Sequence, residues 1–377
     1  MLILAAILSI FVYGMTASML GTILPDLSTR FRLTPKQNGS IALSQALGLI
    51  LSSIGVGPLI DNEGKKVALV LGLALSALAL SLLPRSTGFH GIATYLFLLG
   101  TGGGIIVTAA NALGSDVDPA HRATVLNLFN IFFGLGGLAT PFISANLMGK
   151  SSTRLSYLIA VLAIATIGVN VAAPIPPPTS ARSFVFSELG SVLGRPTLAL
   201  CALLLFLYVA TEVGVWNWLV RYLIAQGIPE SRALNVLSLG FALGLLLGRV
   251  AASQVLISVS GLTVIPAAAV LMAITTFLLL RNKDPRAAWI LAFLAGASMA
   301  PVFPTTVAIV GDAFPRMTGT AIGIAITASW IGLAVSSRVI GVIAAGDPKR
   351  LGTALLVLPG MSVAIVAVSL ALRAVVR

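Results

Sequence analysis

Glu212 is the residue whose position most needs explaining. It stands in Tyr208-Val209-Ala210-Thr211-Glu212-Val213-Gly214-Val215-Trp216-Asn217-Trp218, near the middle of a long apolar run. An acid at the centre of a bilayer costs about 2.5–3.5 kcal/mol on insertion scales, so it is retained where it faces a cavity or a partner. A carboxyl in such a place can accept hydrogen bonds from ligand hydroxyls, carry a proton, or tie its helix to a neighbour. Tyr208 lies four residues before it and Trp216 four residues after, which puts all three on one helical face. An aromatic face beside hydrogen-bonding groups suits a sugar ring, with its apolar C–H face and hydroxyl-rich rim. Asn217 and Trp218 point elsewhere unless the helix unwinds near Gly214.

Other polar residues fall at the same depth of their apolar runs: Gln45, Thr108, Asn111, Asn127, Asn130, Thr327, Ser329 and Trp330. Asn and Gln are neutral at every pH, so they can bind hydroxyls without proton chemistry. Each alone reads first as a hydrogen-bonding tie between helices, and it is their joint presence in the first half, opposite the Glu212 region, that favours a site. The candidate binding set is Gln45, Asn111, Asn127, Asn130, Tyr208, Glu212, Trp216, Asn217 and Trp330, with Glu212 the candidate for proton coupling. Arg249 and Arg338 are expected near opposite membrane faces, so no cation is expected beside Glu212. Cys201 sits inside an apolar run, and His90 and His121 sit in loops. None has metal-ligand spacing, and there is no Ser-His-Asp set or phosphate loop. The sequence points to no catalytic site, cofactor or metal, and the expectation is that the protein is not an enzyme.

These residues must be positioned by membrane-spanning helices. The chain of 377 residues is 58% hydrophobic and 9% charged, with mean hydropathy +1.05. Soluble domains carry about 25% charged residues. Twelve apolar stretches are each long enough to cross a hydrocarbon core about 30 Å thick. They are Leu2–Leu24, Asn38–Ile60, Val67–Leu83, Ile92–Gly114, Thr124–Leu147, Leu155–Ala173, Thr197–Ile224, Ala233–Ser258, Leu262–Leu280, Ala288–Val310, Gly319–Ala345 and Thr353–Leu372. The first lacks a basic leader and a small-residue cleavage pattern, so it reads as a helix that ends at Pro25 rather than a signal peptide. The net charge of +12 is spread through short loops, which fits headgroup contact and not nucleic acid.

The chain also repeats itself at an offset of 196 residues. Gly100 meets Gly296, Asp116 meets Asp312, Pro119 meets Pro315, Thr124 meets Thr320 and Gly136 meets Gly332. Preserved acids, prolines and glycines at one ungapped offset mark two parallel halves. The expected fold is an all-α membrane protein of two pseudo-symmetric six-helix bundles, residues 1–174 and 196–377. They are joined by a linker over 175–195 with a short interfacial helix between Arg182 and Arg195. Taking helices 1 and 7 at the same offset pairs Glu212 with Thr16. Pro301 and Pro304 are expected to break the tenth helix, and the glycines around Gly136 and Gly332 to form close-contact faces. Paired halves with a site at membrane mid-depth are the arrangement of secondary transporters.

Gly57-Pro58-Leu59-Ile60-Asp61-Asn62-Glu63-Gly64-Lys65-Lys66 joins the second and third apolar runs. Here the sequence resembles the major facilitator superfamily, whose loop pattern is Gly-x-Leu-x-Asp-x-x-Gly followed by two basic residues. The resemblance implies that Gly57, Asp61, Gly64, Lys65 and Lys66 form a gating loop that stabilises one conformation without touching substrate. In the second half Ile257 stands where Asp61 does, so any charge latch is asymmetric. Leu205–Val213, Pro301–Thr305 and Thr108–Asn111 further resemble the fucose:proton symporter branch, which includes glucose/galactose transporters. That resemblance implies a monosaccharide substrate and alternating access. The branch's acids before the Thr-Ala-Ala-Asn run and in the first helix are replaced by Val107 and by an acid-free stretch, which leaves Glu212 as the core acid.

The motif puts the Gly57–Lys66 loop and both termini in the cytoplasm. The charge tally opposes it, with nine Lys or Arg inside, thirteen outside and Arg338 within a helix. The reading is a monomeric multi-pass protein of the inner membrane that moves a small polar solute, a hexose-like sugar, as uniporter or proton symporter. The alternative is an exporter of drugs or lipophilic metabolites. A sensor or scaffold of the same fold would need an added soluble domain.

Overall fold

The computed structural model describes residues 1–178, 190, 192–344 and 348–376. Among the described residues it has no strands and twelve helices long and apolar enough to cross a membrane. They are α1 (Leu2–Phe31), α2 (Lys36–Glu63), α3 (Lys65–Arg85), α4 (Phe89–Val117), α5 (Arg122–Asn146), α6 (Ser152–Ala172), α7 (Pro196–Ala225), α8 (Glu230–Val255), α9 (Gly261–Arg281), α10 (Pro285–Ala313), α11 (Thr318–Ala344) and α12 (Arg350–Val376). Each expected apolar run became one of them. The interfacial helix expected between Arg182 and Arg195 falls largely outside the described residues.

Three departures are informative. First, α1 does not end at Pro25; it continues to Phe31 and is closed by Arg32 in the left-handed region, φ 50°. A proline inside a helix removes one backbone hydrogen bond, and neighbours can compensate. Here the extra turn carries Asp26, whose Oδ2 accepts the Ser152 N–H at 2.8 Å at the start of α6. Second, α10 is interrupted at Ala300 and Pro301, as its prolines foretell, giving pieces Pro285–Met299 and Val302–Ala313. Third, α8 contains a π-turn over Val236–Ala242 that hydropathy cannot reveal.

The helices form two compact units. The first comprises Met1–Val117, Phe129–Glu188 and Phe314–Thr327; the second comprises Asp118–Leu128, Leu189–Ala313 and Ala328–Arg377. Within each, helices meet through glycines, and the repeat is visible atom by atom. In the first unit, a Cβ on Gly48 would overlap the Phe97 carbonyl oxygen, and one on Gly100 would overlap that of Gln45. In the second, Gly244 meets Phe293 and Gly296 meets Phe241 in the same way. All four pairs obey the 196-residue offset.

Helices α1 and α7 obey a different one. Gly136 lies against the Phe11 carbonyl and Gly332 against that of Phe206. Thr140 Oγ1 donates to the Met15 carbonyl at 3.2 Å, and Ser336 Oγ to that of Ala210 at 2.5 Å. Since Thr140 and Ser336 are repeat partners, α1 and α7 match at 195 residues. The pairing of Glu212 with Thr16 is therefore corrected to Ala17, and Tyr208 pairs with Tyr13. The second half holds one more residue before Phe241, and the π-turn that contains Phe241 takes it in, because an i→i+5 turn holds more chain than an α-turn.

Overpacking a tight contact costs about 1–3 kcal/mol. Gly48→Val and Gly244→Val should each lower the thermal unfolding temperature in detergent, because the obstructing atoms are backbone. Gly21→Ala and Gly168→Ala, where an added Cβ meets nothing within 4 Å, should leave it unchanged.

Candidate functional site

In the second unit the α7 stripe is built as its spacing requires. Tyr208 is fully buried, its ring 6.4 Å from that of Phe303 and tilted by 44°. Phe303 is the second residue after the α10 interruption, so the Pro301 break sets where this ring stands. One turn along α7, Glu212 is half-buried. One turn further, Trp216 is 36% exposed and packs edge-on against Phe241, centroids 5.4 Å apart at 81°. Phe241 belongs to the π-turn and occupies the place that Gln45 holds in the first half.

Arg249 corrects a sequence expectation. It is only 5% exposed, and it and Glu212 both lie within electrostatic range of the buried Tyr208 hydroxyl. Helical side chains lean toward their own N-terminus, so a long one starting near the C-terminal end of α8 reaches deeper than its Cα. A cation therefore does lie beside the Tyr208–Glu212 face.

The remaining candidates divide between the units. Asn127 is fully buried in the second; its Nδ2 donates to the Ala123 carbonyl at 2.8 Å and to Thr305 Oγ1 at 3.3 Å, while its Oδ1 has no partner. That bond ties the start of α5 to α10. Asn217 is exposed on α7 and Trp330 half-buried on α11. In the first unit Gln45, Asn111 and Asn130 are all buried, on α2, α4 and α5. Asn111 Nδ2 donates to the Val107 carbonyl at 2.7 Å within its own helix. Near them Tyr13 stacks on Phe133 at 5.4 Å, and the Thr108 hydroxyl is buried without a partner. Sequence reasoning missed Tyr13, Phe133, Phe241, Phe303 and Arg249. Only Tyr13 had left a signal, the Tyr13–Tyr208 match at 195 residues.

The Gly57–Lys66 stretch closes on α11 within the first unit. Gly64 has φ +93°, which lets the chain turn sharply from α2 into α3. Asp61 accepts from Gly319 N–H at 2.8 Å, Thr320 N–H at 2.9 Å and Thr320 Oγ1 at 2.6 Å. The acid caps the start of α11, where free amides and the helix dipole favour an anion. Gly57 permits this: a Cβ there would stand 2.5 Å from Thr320 Cα. Lys65 Nζ pairs with Asp116 at 2.6 Å. Lys66 is half-buried and joins no ion pair among the described residues. In the second unit Ile257 is exposed, and Thr124 Oγ1 donates to the Ser253 carbonyl at 3.3 Å. His121 is engaged locally: its Nδ1 lies 2.9 Å from Asp118 Oδ2, a bond that holds the Asp118 carboxyl below the usual range.

Hydrogen bonds to charged groups contribute about 1.5–3 kcal/mol. Asp61→Asn should therefore speed hydrogen exchange at the Gly319 and Thr320 amides, while Ile257→Asn at the repeat-equivalent position should leave the Thr124 amide unaffected.

Comparison with known proteins accords with this architecture. The sequence profile of the Major Facilitator Superfamily matches residues 6–337. A glucose/galactose transporter of Brucella abortus is 26% identical over 246 residues, 59% of this chain and 59% of that protein. The 4-hydroxybenzoate transporter PcaK of Pseudomonas aeruginosa is 27% identical over 200 residues, 52% of this chain and 44% of that one. The chain thus spans less than two thirds of the length of either of these two relatives. Among solved structures, the transporter FucP in the outward conformation superimposes with a TM-score of 0.85 at 19% identity, covering 98% of both chains. The proton:xylose symporter XylE superimposes at 0.75 and 15% identity, covering 97% of this chain and 94% of that one. The profile spans most of the chain and eleven of its twelve apolar helices in full or in part, and the chain belongs to the Major Facilitator Superfamily.

Proposed function

We propose that the protein carries a hexose-like sugar by alternating access, as a uniporter or with Glu212 carrying a coupled proton. The observation that carries this reading is the α7 stripe: a half-buried carboxyl between a buried tyrosine and an exposed tryptophan held edge-on by Phe241. Trp216 offers a flat apolar face to the ring, and Glu212 and Tyr208 offer partners to its hydroxyls. Gln45, Asn111 and Asn130 are the hydroxyl ligands assigned to the first unit. Asn127 is already engaged with Ala123 and Thr305, so its removal should lower stability more than affinity. The names of the Brucella relative, FucP and XylE support a sugar. A second reading, an aromatic carboxylate, is favoured by Arg249 beside Tyr208 and by relatives named for 4-hydroxybenzoate and gentisate.

A thermal-shift screen of hexoses, aromatic carboxylates and lipophilic cations on purified protein separates the readings. Saturable stabilisation by a hexose is expected, weakened by about 0.5–1.5 kcal/mol for each lost hydrogen bond in Gln45→Ala or Asn111→Ala. Stabilisation by carboxylates alone would transfer the assignment to the second reading, and by lipophilic cations alone to an exporter. Glu212→Gln should abolish accumulation against a gradient in proteoliposomes while sparing solute exchange. Accumulation that survives the change would make the protein's coupling independent of Glu212.

We place the Gly57–Lys66 loop and both termini in the cytoplasm of an inner-membrane monomer. In a Cys201→Ser background, Asn62→Cys should escape an impermeant thiol reagent in intact cells and Thr87→Cys should react. The opposite pattern would show that the basic loops follow the charge rule after all.

A further inference from the structure

Asp116 and Asp312 are repeat partners near the ends of α4 and α10, and each holds a cation of different origin. Asp116 Oδ2 takes Lys65, the first residue of α3. Asp312 Oδ1 takes Arg122, the first residue of α5. The residue equivalent to Lys65 is Gly261, the first of α9, so no side chain from α9 threads toward Asp312. A cavity of about 240 Å³ lies there, lined by Ser260, Gly261, Leu262, Thr305, Ile309 and Asp312, with three alanines and Val376 completing the wall.

We propose that this cavity binds an alkylammonium group, a primary ammonium on a short aliphatic stem, in the manner of the Lys65 side chain in the first half. The ammonium would sit on Asp312 Oδ2, which takes no hydrogen bond among the described residues. A carboxylate has acceptor capacity for two cationic donors, so Arg122 need not leave. The Asp312 side chain is 59% exposed and open to an incoming group. Leu262 and Ile309 give the stem an apolar wall. The start of α9 is no obstacle, because Ser260 Oγ already accepts the Leu262 N–H at 3.3 Å, and the Lys65 ammonium sits at the matching start of α3. The group could come from the aminoethyl head of a phosphatidylethanolamine or from a soluble amine. The proposal is independent of the transported solute.

The test uses the full chain in detergent, titrated with n-butylammonium and followed by thermal unfolding and calorimetry. n-Butanol and tetramethylammonium supply the stem and the charge separately. Saturable stabilisation by n-butylammonium but by neither control is expected. Affinity should fall about tenfold or more in Asp312→Asn, the loss of one charged hydrogen bond. Ala313→Leu, which fills the cavity and keeps the charge, should lose it too, and Asp116→Asn should not. Nanodiscs of phosphatidylethanolamine and of phosphatidylcholine then identify the source. Greater stability in the former that vanishes in Asp312→Asn assigns the lipid head, and an n-butylammonium effect without that difference assigns a soluble amine. Absence of both effects, or stabilisation unchanged in both Asp312→Asn and Ala313→Leu, overturns the proposal.

Discussion

Close backbone approach is the constraint on which this structure depends. Lipid is as apolar as leucine, so burial of apolar side chains does not by itself draw helices together in a bilayer; contact does. The glycine pairs linking α2 to α4 and α8 to α10 let carbonyls of one helix touch the α-carbons of the next. Everything polar is then held at fixed distance. Gln45 and Phe241 occupy matching places because their carbonyls lie against Gly100 and Gly296, although their side chains have nothing in common. The framework is duplicated while the chemistry hung on it differs from one half to the other.

That difference is systematic. In the first unit the buried polar residues on α2, α4 and α5 are neutral amides and hydroxyls, and the charged groups sit at helix ends, Asp61 on α11 and Lys65 on Asp116. In the second, a carboxyl and a guanidinium flank the buried Tyr208 hydroxyl well inside the span, while the face has lost its acid at Ile257. A charge held within a membrane span is costly. The units thus differ in where their charged groups stand: at helix ends in the first, and along α7 and α8 beside a buried hydroxyl in the second.

The sequence disclosed the fold through properties that survive averaging. Hydropathy over twenty residues finds a helix whatever its neighbours do, and twelve runs became twelve helices. The α10 break was legible because proline acts locally. What escaped needed three dimensions. Pro25 looked like an end because a single residue cannot show that Asp26 is wanted at the start of α6. Arg249 looked peripheral because position along a helix does not give the reach of a long side chain. Nothing near Asn127 in the sequence shows that Thr305, 178 residues away, engages its amide. Of the candidate site, the α7 stripe could be read from its four-residue spacing; its aromatic supports, Phe241 and Phe303, come from other helices and carry no local signature.

The π-turn in α8 lets the two halves differ in length while sharing one framework. The second half holds one residue more between the α7 register and Phe241, and α8 takes it in without disturbing the Gly244 contact. In an unbroken α-helix a single added residue would turn the preceding stretch by about 100° around the axis. A π-turn absorbs that rotation, because each of its turns holds more chain. A change of length inside a membrane helix is in this way confined to one wide turn.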